Sequence, residues 1–230
     1  MEIILVRHGE STANAAGVLA GRDHGVDLTD RGVEQVREAR ALVPEIADAD
    51  AAVTVLSSPI HRCVRTTEEL LAVPELAAPD HAAPRSYGVL DELAEVEYGD
   101  WTGRPIKELL REPLWKTVRT TPSRARFPGG ESLAEVAARS RSALESACRA
   151  AEETSSTALV LVSHGDVIKL MLAHALGLEV DRFQRIAVAP ASVSRIAVGK
   201  PQSHPPMTVT MLGATARGRR AQTRAPGGGR

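Results

Sequence analysis

Short runs of branched apolar residues that break off on a charged or imidazole-bearing turn constrain this chain more than any other feature. Ile3-Ile4-Leu5-Val6 stops at Arg7-His8-Gly9-Glu10-Ser11, and far downstream Ala158-Leu159-Val160-Leu161-Val162 stops at Ser163-His164-Gly165-Asp166. A third run, Ala52-Val53-Thr54-Val55-Leu56, ends at Ser57-Ser58-Pro59-Ile60-His61-Arg62. Each reads as a buried strand handing the chain to a polar loop at its carboxyl end. Stretches of helical spacing lie between them, and strand-helix-strand alternation builds a parallel sheet with helices on both faces. Such sheets keep their ligand sites outside the carboxyl ends of the strands. The predicted fold class is α/β: a three-layer α/β/α arrangement around a largely parallel central sheet.

The remaining elements follow from local signals. Thr29 is the expected N-cap of a helix whose apolar positions are Val33, Val36, Ala39, Val43 and Ile46. Ser58 as N-cap and Pro59 at the first helical position predict a second helix, with Ile60, Val64, Thr67 and Leu71 as its buried stripe and Arg62 off that stripe. Residues 105–121 read as one or two short helices interrupted by Pro113. A long helix follows the turn Phe127-Pro128-Gly129-Gly130-Glu131-Ser132, burying Leu133, Val136, Ala137, Ser140, Leu144, Ala147 and Cys148. Further strands are expected at 86–89, 192–198 and 207–212, and an apolar helix at 167–176. Residues 1–212 form one predicted domain, with 90–130 as an insertion over the carboxyl edge of the sheet. Residues 213–230, rich in Gly and Arg, form a predicted disordered basic tail.

Charge and composition narrow the partners. Hydrophobic residues make up 43% and charged residues 25%, as in soluble globular proteins. Aromatic content is only 3%, too low for a platform on which bases stack. The formal net charge is −1, and the tail from 213 onward holds five arginines and no acid; setting those five charges aside leaves −6 for the rest. A body of that sign is a poor partner for nucleic acid, so any anion site must be a local cluster of cations. Cys63 and Cys148 form no metal-type pair and read as small core residues on helices. No secretory signal or membrane-spanning run is apparent, which predicts a cytoplasmic protein with no membrane partner. A homo-oligomer is compatible with the sequence.

Three strand-to-loop junctions thus deliver Arg7 and His8, Arg62, and His164 to one sheet edge. Two arginines and two imidazoles around one point suit phosphoryl transfer, where fixed donors stabilise spread negative charge. One imidazole can be the nucleophile and the other can bind an oxygen. A leaving alkoxide also needs an acid, and the stretch holding Glu92, Glu95 and Glu97 is its source, although spacing does not choose among them. Glu10 is a candidate base when the opening is read alone.

Arg7-His8-Gly9-Glu10-Ser11 with Asn14, Ser57-Ser58-Pro59 with Arg62, Glu95 before Tyr98-Gly99-Asp100-Trp101-Thr102-Gly103, and Ser163-His164-Gly165 resemble, in order, the motifs of the histidine phosphatase superfamily, also called phosphoglycerate mutase-like. The resemblance runs from residue 3 to about residue 198. It implies the phosphoglycerate mutase-like fold, with His8 becoming a phosphohistidine and Arg7, Arg62 and His164 binding phosphoryl oxygens. It places the acid three residues before an aromatic-Gly pair, at Glu95, and displaces Glu10 from that role. Asn14 matches a polar position that contacts the phosphoryl group, and Ser11, Gly21 and Gly165 join it as candidate substrate-binding residues. Glu92 and Glu97 are left as surface or rim. Trp101 and Trp115 are expected to pack, and His24, His61, His81, His174 and His204 to be structural or on the surface.

The implied activity is hydrolysis of a small phosphomonoester, with inorganic phosphate as product and no cofactor. His8, His164 and Glu95 have the composition of a divalent-metal triad, but the flanking arginines would repel a cation, so no metal is expected. A mutase needs a second anion site. Mutases of the family place basic residues directly after the acid, where this chain has Val96 and Glu97, and that favours a phosphatase. Against it, residues 103–108, 113–116 and 127–132 resemble a bacterial branch labelled probable phosphomutase or broad-specificity phosphatase, and Arg104, Lys107, Lys116 or Arg126 could supply the second site. A non-catalytic phospho-ligand binder is the third alternative, disfavoured because nucleophile and acid are both present.

Overall fold

A computed structural model describes residues 1–48, 50–72, 87–199 and 207–216. Six strands form one sheet: β1 (Glu2–Arg7), β2 (Val53–Ser57), β3 (Gly88–Val89), β4 (Ala158–Ser163), β5 (Val193–Val198) and β6 (Met207–Ala214). Their order is β3-β2-β4-β1-β5-β6. The four from β3 to β1 run parallel, while β5 is antiparallel to β1 and β6 to β5. This is the largely parallel α/β sheet expected.

Alternation along the central strands sorts the core into two layers. Ile3, Leu5, Leu159 and Leu161 face one side, where they meet α6 (Leu133–Glu153), α7 (Gly165–Ala175) and the short α4 (Ile106–Leu109) and α5 (Pro113–Thr120). Ile4, Val6, Val160 and Val162 face the other, covered by α2 (Asp30–Ala39) and α3 (His61–Leu71). Ile3 to Val6 have no exposed surface, and at roughly 1.5–3 kcal/mol per buried side chain they anchor the first motif firmly. The segment between 90 and 130 contributes Leu93, Val96, Trp101, Leu109 and Phe127 to the same cluster as α6 and α7. Ser163 Oγ donates to the carbonyl of Leu93 (2.7 Å), which ties this segment to the carboxyl end of β4.

Local signals succeed where a cap or a proline acts alone. Thr29 caps α2 by accepting from Gly32 N (3.0 Å), Ser132 closes a capping box with Glu135 on α6, and Pro113 opens α5. The α2 pattern continues beyond Ala39 as two 3-10 turns, Arg40–Leu42 and Pro44–Ile46, which still bury Val43 and Ile46. α3 departs from expectation. It begins at His61 with Ile60 extended, so Ser58 is not its N-cap and Pro59 is not its first residue. Its buried face carries Arg62, Cys63, Thr66, Thr67 and Leu70, with Val64 and Leu71 only half-buried. The apolar-stripe reading fails because this face of α3 abuts the strand ends, where polar partners replace apolar ones.

β6 extends through Ala214, two residues into the stretch predicted to be a disordered tail. Residues 73–86, 200–206 and 217–230, and with them Ser86, His81 and His204, lie outside the described residues. Cys63 and Cys148 are buried and unpaired, on α3 and α6 as expected. Burial pushes their thiols up to about 12 and about 11, so neither is a ready nucleophile. Among the described residues, no helix is long and apolar enough to cross a membrane.

Candidate active site

Parallel pairing sets the motif ends side by side. Arg7 is the register partner of Ser163, and Ser57 that of Val162. The hydrogen bonds run one step past the strands: His8 N donates to Ser163 O (3.0 Å) and Ser58 N to Val162 O (2.9 Å). The cleft at this edge is lined by Arg7, His8, Ser11, Asn14, Val18, Ala20, Gly21, Arg62, Glu95 and Tyr98.

Nδ1 of His8 lies 2.7 Å from the carbonyl oxygen of Gly9, which only accepts, so Nδ1 carries the ring proton. Nε2 is left with its lone pair, facing Arg62 Nε at 3.4 Å. Burial first, then the charges of Arg62 and Arg7, hold His8 well below the usual imidazole range. It is therefore an unprotonated imidazole at neutral pH. Arg62 is placed by three carbonyl and imidazole contacts: Nη2 donates to Gly21 O (2.6 Å) and to His164 Nδ1 (3.1 Å), and Nη1 to Asp23 O (3.3 Å). Gly21 supports this with a left-handed backbone (φ 51°), and a side chain there would crowd Thr102 and Tyr98.

His164 is wholly buried behind His8, with ring centroids 5.3 Å apart. Its Nδ1 accepts from Arg62, so its Nε2 proton points to Ser58 Oγ (2.8 Å). Ser58, expected to cap α3, instead orients this imidazole. Burial, followed by Arg62 and His8, also keeps His164 well below the usual range. Arg7 donates to Val188 O (2.8 Å), and Gly165 lies beside its guanidinium, where a methyl group would make ordinary contact with Cζ at 3.4 Å.

Of the three acids left open by spacing, the structure brings Glu95 into the cleft and leaves Glu92 and Glu97 exposed. Burial pushes the Glu95 carboxyl up to about 7; the Asp166 carboxylate adds to this, while Val96 N–H, Arg62 and Arg7 oppose it. Tyr98 OH donates to Asp166 Oδ2 (2.9 Å) and Lys169 Nζ to Oδ1 (3.1 Å), so the carboxylate behind the site is partnered on both oxygens. Glu10 is turned to the start of α2, where it accepts from Thr29 (3.2 Å) and pairs with Arg31 (3.7 Å). Asn14 and Ser11 cap α1 (Thr12–Ala16) reciprocally while lining the cleft.

Residues 3–204 match the histidine phosphatase superfamily, branch 1. The chain belongs to this superfamily. Its relatives carry the names of mutases and of phosphatases. It is 32% identical over 199 residues to a protein named probable phosphoglycerate mutase GpmB from Photorhabdus laumondii, covering 85% of this chain and 84% of that one. It is 29% identical over 199 residues to phosphoserine phosphatase 1 of Hydrogenobacter thermophilus, covering 85% and 86%. In fold it matches the phosphoserine phosphatase of Entamoeba histolytica, solved with 3-phosphoglyceric acid, at a TM-score of 0.75 and 22% identity over 93% of this chain and 97% of that one.

For this histidine phosphatase superfamily member, sequence reasoning overlooked Val18 and Ala20 in the cleft wall, which carry no motif of charge or spacing, and used Tyr98 only as a motif position, not as part of that wall. It also overlooked the role of Ser58 and the arginines beneath Glu95. Arg104 pairs with Glu112 (2.7 Å), Arg126 with Glu135, and neither these nor Lys107 or Lys116 lines the cleft. Trp101 and Trp115 stack on each other in the core (5.8 Å), as expected of packing residues. His24, His61 and His174 are exposed.

Proposed function

We propose that this protein is a metal-independent phosphatase acting on small phosphomonoesters, with His8 as nucleophile and Glu95 as general acid and base. The observation that carries the hydrolytic reading is the cleft wall. Among the described residues that line it, the only cations are Arg7 and Arg62, both beside His8, and the rest of the wall is Ser11, Asn14, Val18, Ala20, Gly21 and Tyr98 beside Glu95. A mutase substrate carries a second anionic group, and that wall gives it no charged partner.

In the proposed cycle the Nε2 lone pair of His8 attacks phosphorus as the ester P–O bond breaks, and the Glu95 proton passes to the leaving oxygen to give an alcohol. Water then attacks the phosphohistidine, giving its proton to Glu95 as the P–N bond breaks, and inorganic phosphate leaves. Arg7 and Arg62 offset the charge on the equatorial oxygens, so positive charge is present without a metal ion. A phosphoryl dianion held by Arg7 and Arg62 favours the charged form of His164, whose Nδ1 takes a proton from water and donates to the same oxygens as Arg62.

The test is turnover of p-nitrophenyl phosphate and a panel of phosphorylated metabolites without added metal. His8→Ala is expected to abolish activity on every ester, and Glu95→Gln to lower it by about 10² or more on alkyl phosphates, whose leaving oxygen needs a proton, the usual contribution of general acid catalysis. Full activity in His8→Ala, or turnover that requires a metal, overturns the mechanism. Fast isomerisation with negligible phosphate release favours the mutase instead.

A further inference from the structure

Glu95 sits on backbone that belongs to no regular element. It lies between the 3-10 turns Asp91–Leu93 and Gly99–Trp101, so no helix or ladder hydrogen bonds determine where its carboxyl points. One side chain takes their place. Arg139, from the second turn of α6, donates through Nη1 to the carbonyls of Ala94 (2.7 Å) and Glu92 (2.8 Å), and through Nη2 to that of Glu95 (3.0 Å). It is itself gripped by Glu131, with Nε on Oε1 (2.8 Å) and Nη2 on Oε2 (3.0 Å). Glu131 Oε2 also accepts from Glu97 N (2.9 Å), and Glu131 N donates to Glu97 O (2.9 Å). Both sides of the Glu95 position are thus held from one ion pair.

A second guanidinium joins the same carbonyl. Arg22 Nε donates to Glu95 O (3.0 Å), and its Nη2 lies 3.1 Å from Glu131. Arg22 directly follows Gly21, whose carbonyl holds Arg62. Two adjacent residues therefore fix the distance between the acid and one of the phosphoryl-binding arginines.

We infer that Arg139 is a positioning residue for the Glu95 carboxyl, with Glu131 and Arg22 as its supports. The inference rests on the reading of Glu95 as the acid. Arg139 touches no reacting atom and lies outside the cleft lining. Its planar fork is what the role requires, because three carbonyls and a bidentate carboxylate cannot be met by the compact ammonium of lysine.

The experiment compares kcat/KM for p-nitrophenyl phosphate, whose leaving group departs readily without a proton, with that for 2-glycerophosphate, whose alkoxide needs one. In Arg139→Lys the alkyl ester is expected to lose about 10²-fold, the scale of a misplaced catalytic group, and the aryl ester much less. Inhibition by inorganic phosphate stays unchanged, since Arg7, Arg62 and His8 are untouched. Glu131→Gln, which leaves the three carbonyl bonds in place, shifts the ratio in the same direction by less and serves if Arg139→Lys does not fold. In the Glu95→Gln background, Arg139→Lys adds no further loss. Equal losses on both esters, or a full further loss in that background, overturn the positioning role while leaving the acid assignment standing. An unchanged ester ratio in Glu95→Gln itself overturns the acid assignment and the positioning role together.

Discussion

A single hydrogen bond, from Nδ1 of His8 to the carbonyl of Gly9, determines which nitrogen of the ring is free, and burial beside two guanidinium groups keeps that nitrogen unprotonated. Glu95, the proposed acid, has the opposite need, and the same burial serves it: desolvation raises a carboxyl while it lowers an imidazole. With Glu95 pushed up to about 7 and His8 held well below 6.5, kcat/KM should be sustained in mildly acidic solution and fall on the alkaline side through about pH 7, as Glu95 loses its proton. Steady-state pH profiles check this. Glu95→Gln should remove the alkaline limb. Asp166→Asn should move it to lower pH, because the Asp166 charge is the second cause of the Glu95 shift.

At the level of elements, the first motif is locked by a crossing of two backbones. A Cβ on Gly32 of α2 would lie 2.1 Å from the Glu10 carbonyl oxygen, and one on Gly9 would lie 2.5 Å from that of Gly32. The glycine after His8 is explained by its packing on α2. Gly32→Ala should therefore cost about 1–3 kcal/mol, the usual range for overpacking, despite the better helix propensity of Ala. Thermal unfolding followed by circular dichroism checks it, with Gly165→Ala as the control, since its methyl group meets only ordinary contacts. The start of α3 makes the same point. Ser58-Pro59 has the composition of a helix start, but the Ser58 hydroxyl bonds His164 at the end of the neighbouring strand β4, and the helix begins three residues later. Propensity is a local signal and a buried imidazole 106 residues away is not visible to it.

For the whole molecule, the site sets a dependence of stability on pH. His8 and His164 remain neutral in the fold below 6.5, where the unfolded chain protonates them, so each destabilises the fold as pH falls through that value. Glu95 acts in the other direction: between 4.5 and about 7 the folded state holds a proton that the unfolded state has released, so falling pH stabilises it there. Two groups against one give a net loss of stability between pH 7 and 5.5 in the absence of phosphate. Urea midpoints measured across that window should fall, and should fall more steeply in Glu95→Gln, where the opposing group is gone.

The sequence by itself determined the layers of this protein and which charged and imidazole side chains stand at one sheet edge. Continuous apolar runs require burial on both faces, the helical stretches between them supply the cover, and the turn at each run's end names Arg7, His8, Arg62 and His164 without reference to any contact. Only the tertiary structure decided how those groups are held and what surrounds them. That Arg62 rests on the Gly21 carbonyl, that Arg139 spans the backbone beneath Glu95, and that Val18 and Ala20 join the uncharged wall are products of chain segments meeting across dozens of residues. Such meetings are set by packing, and they leave no period, cap or spacing in the sequence from which to read them.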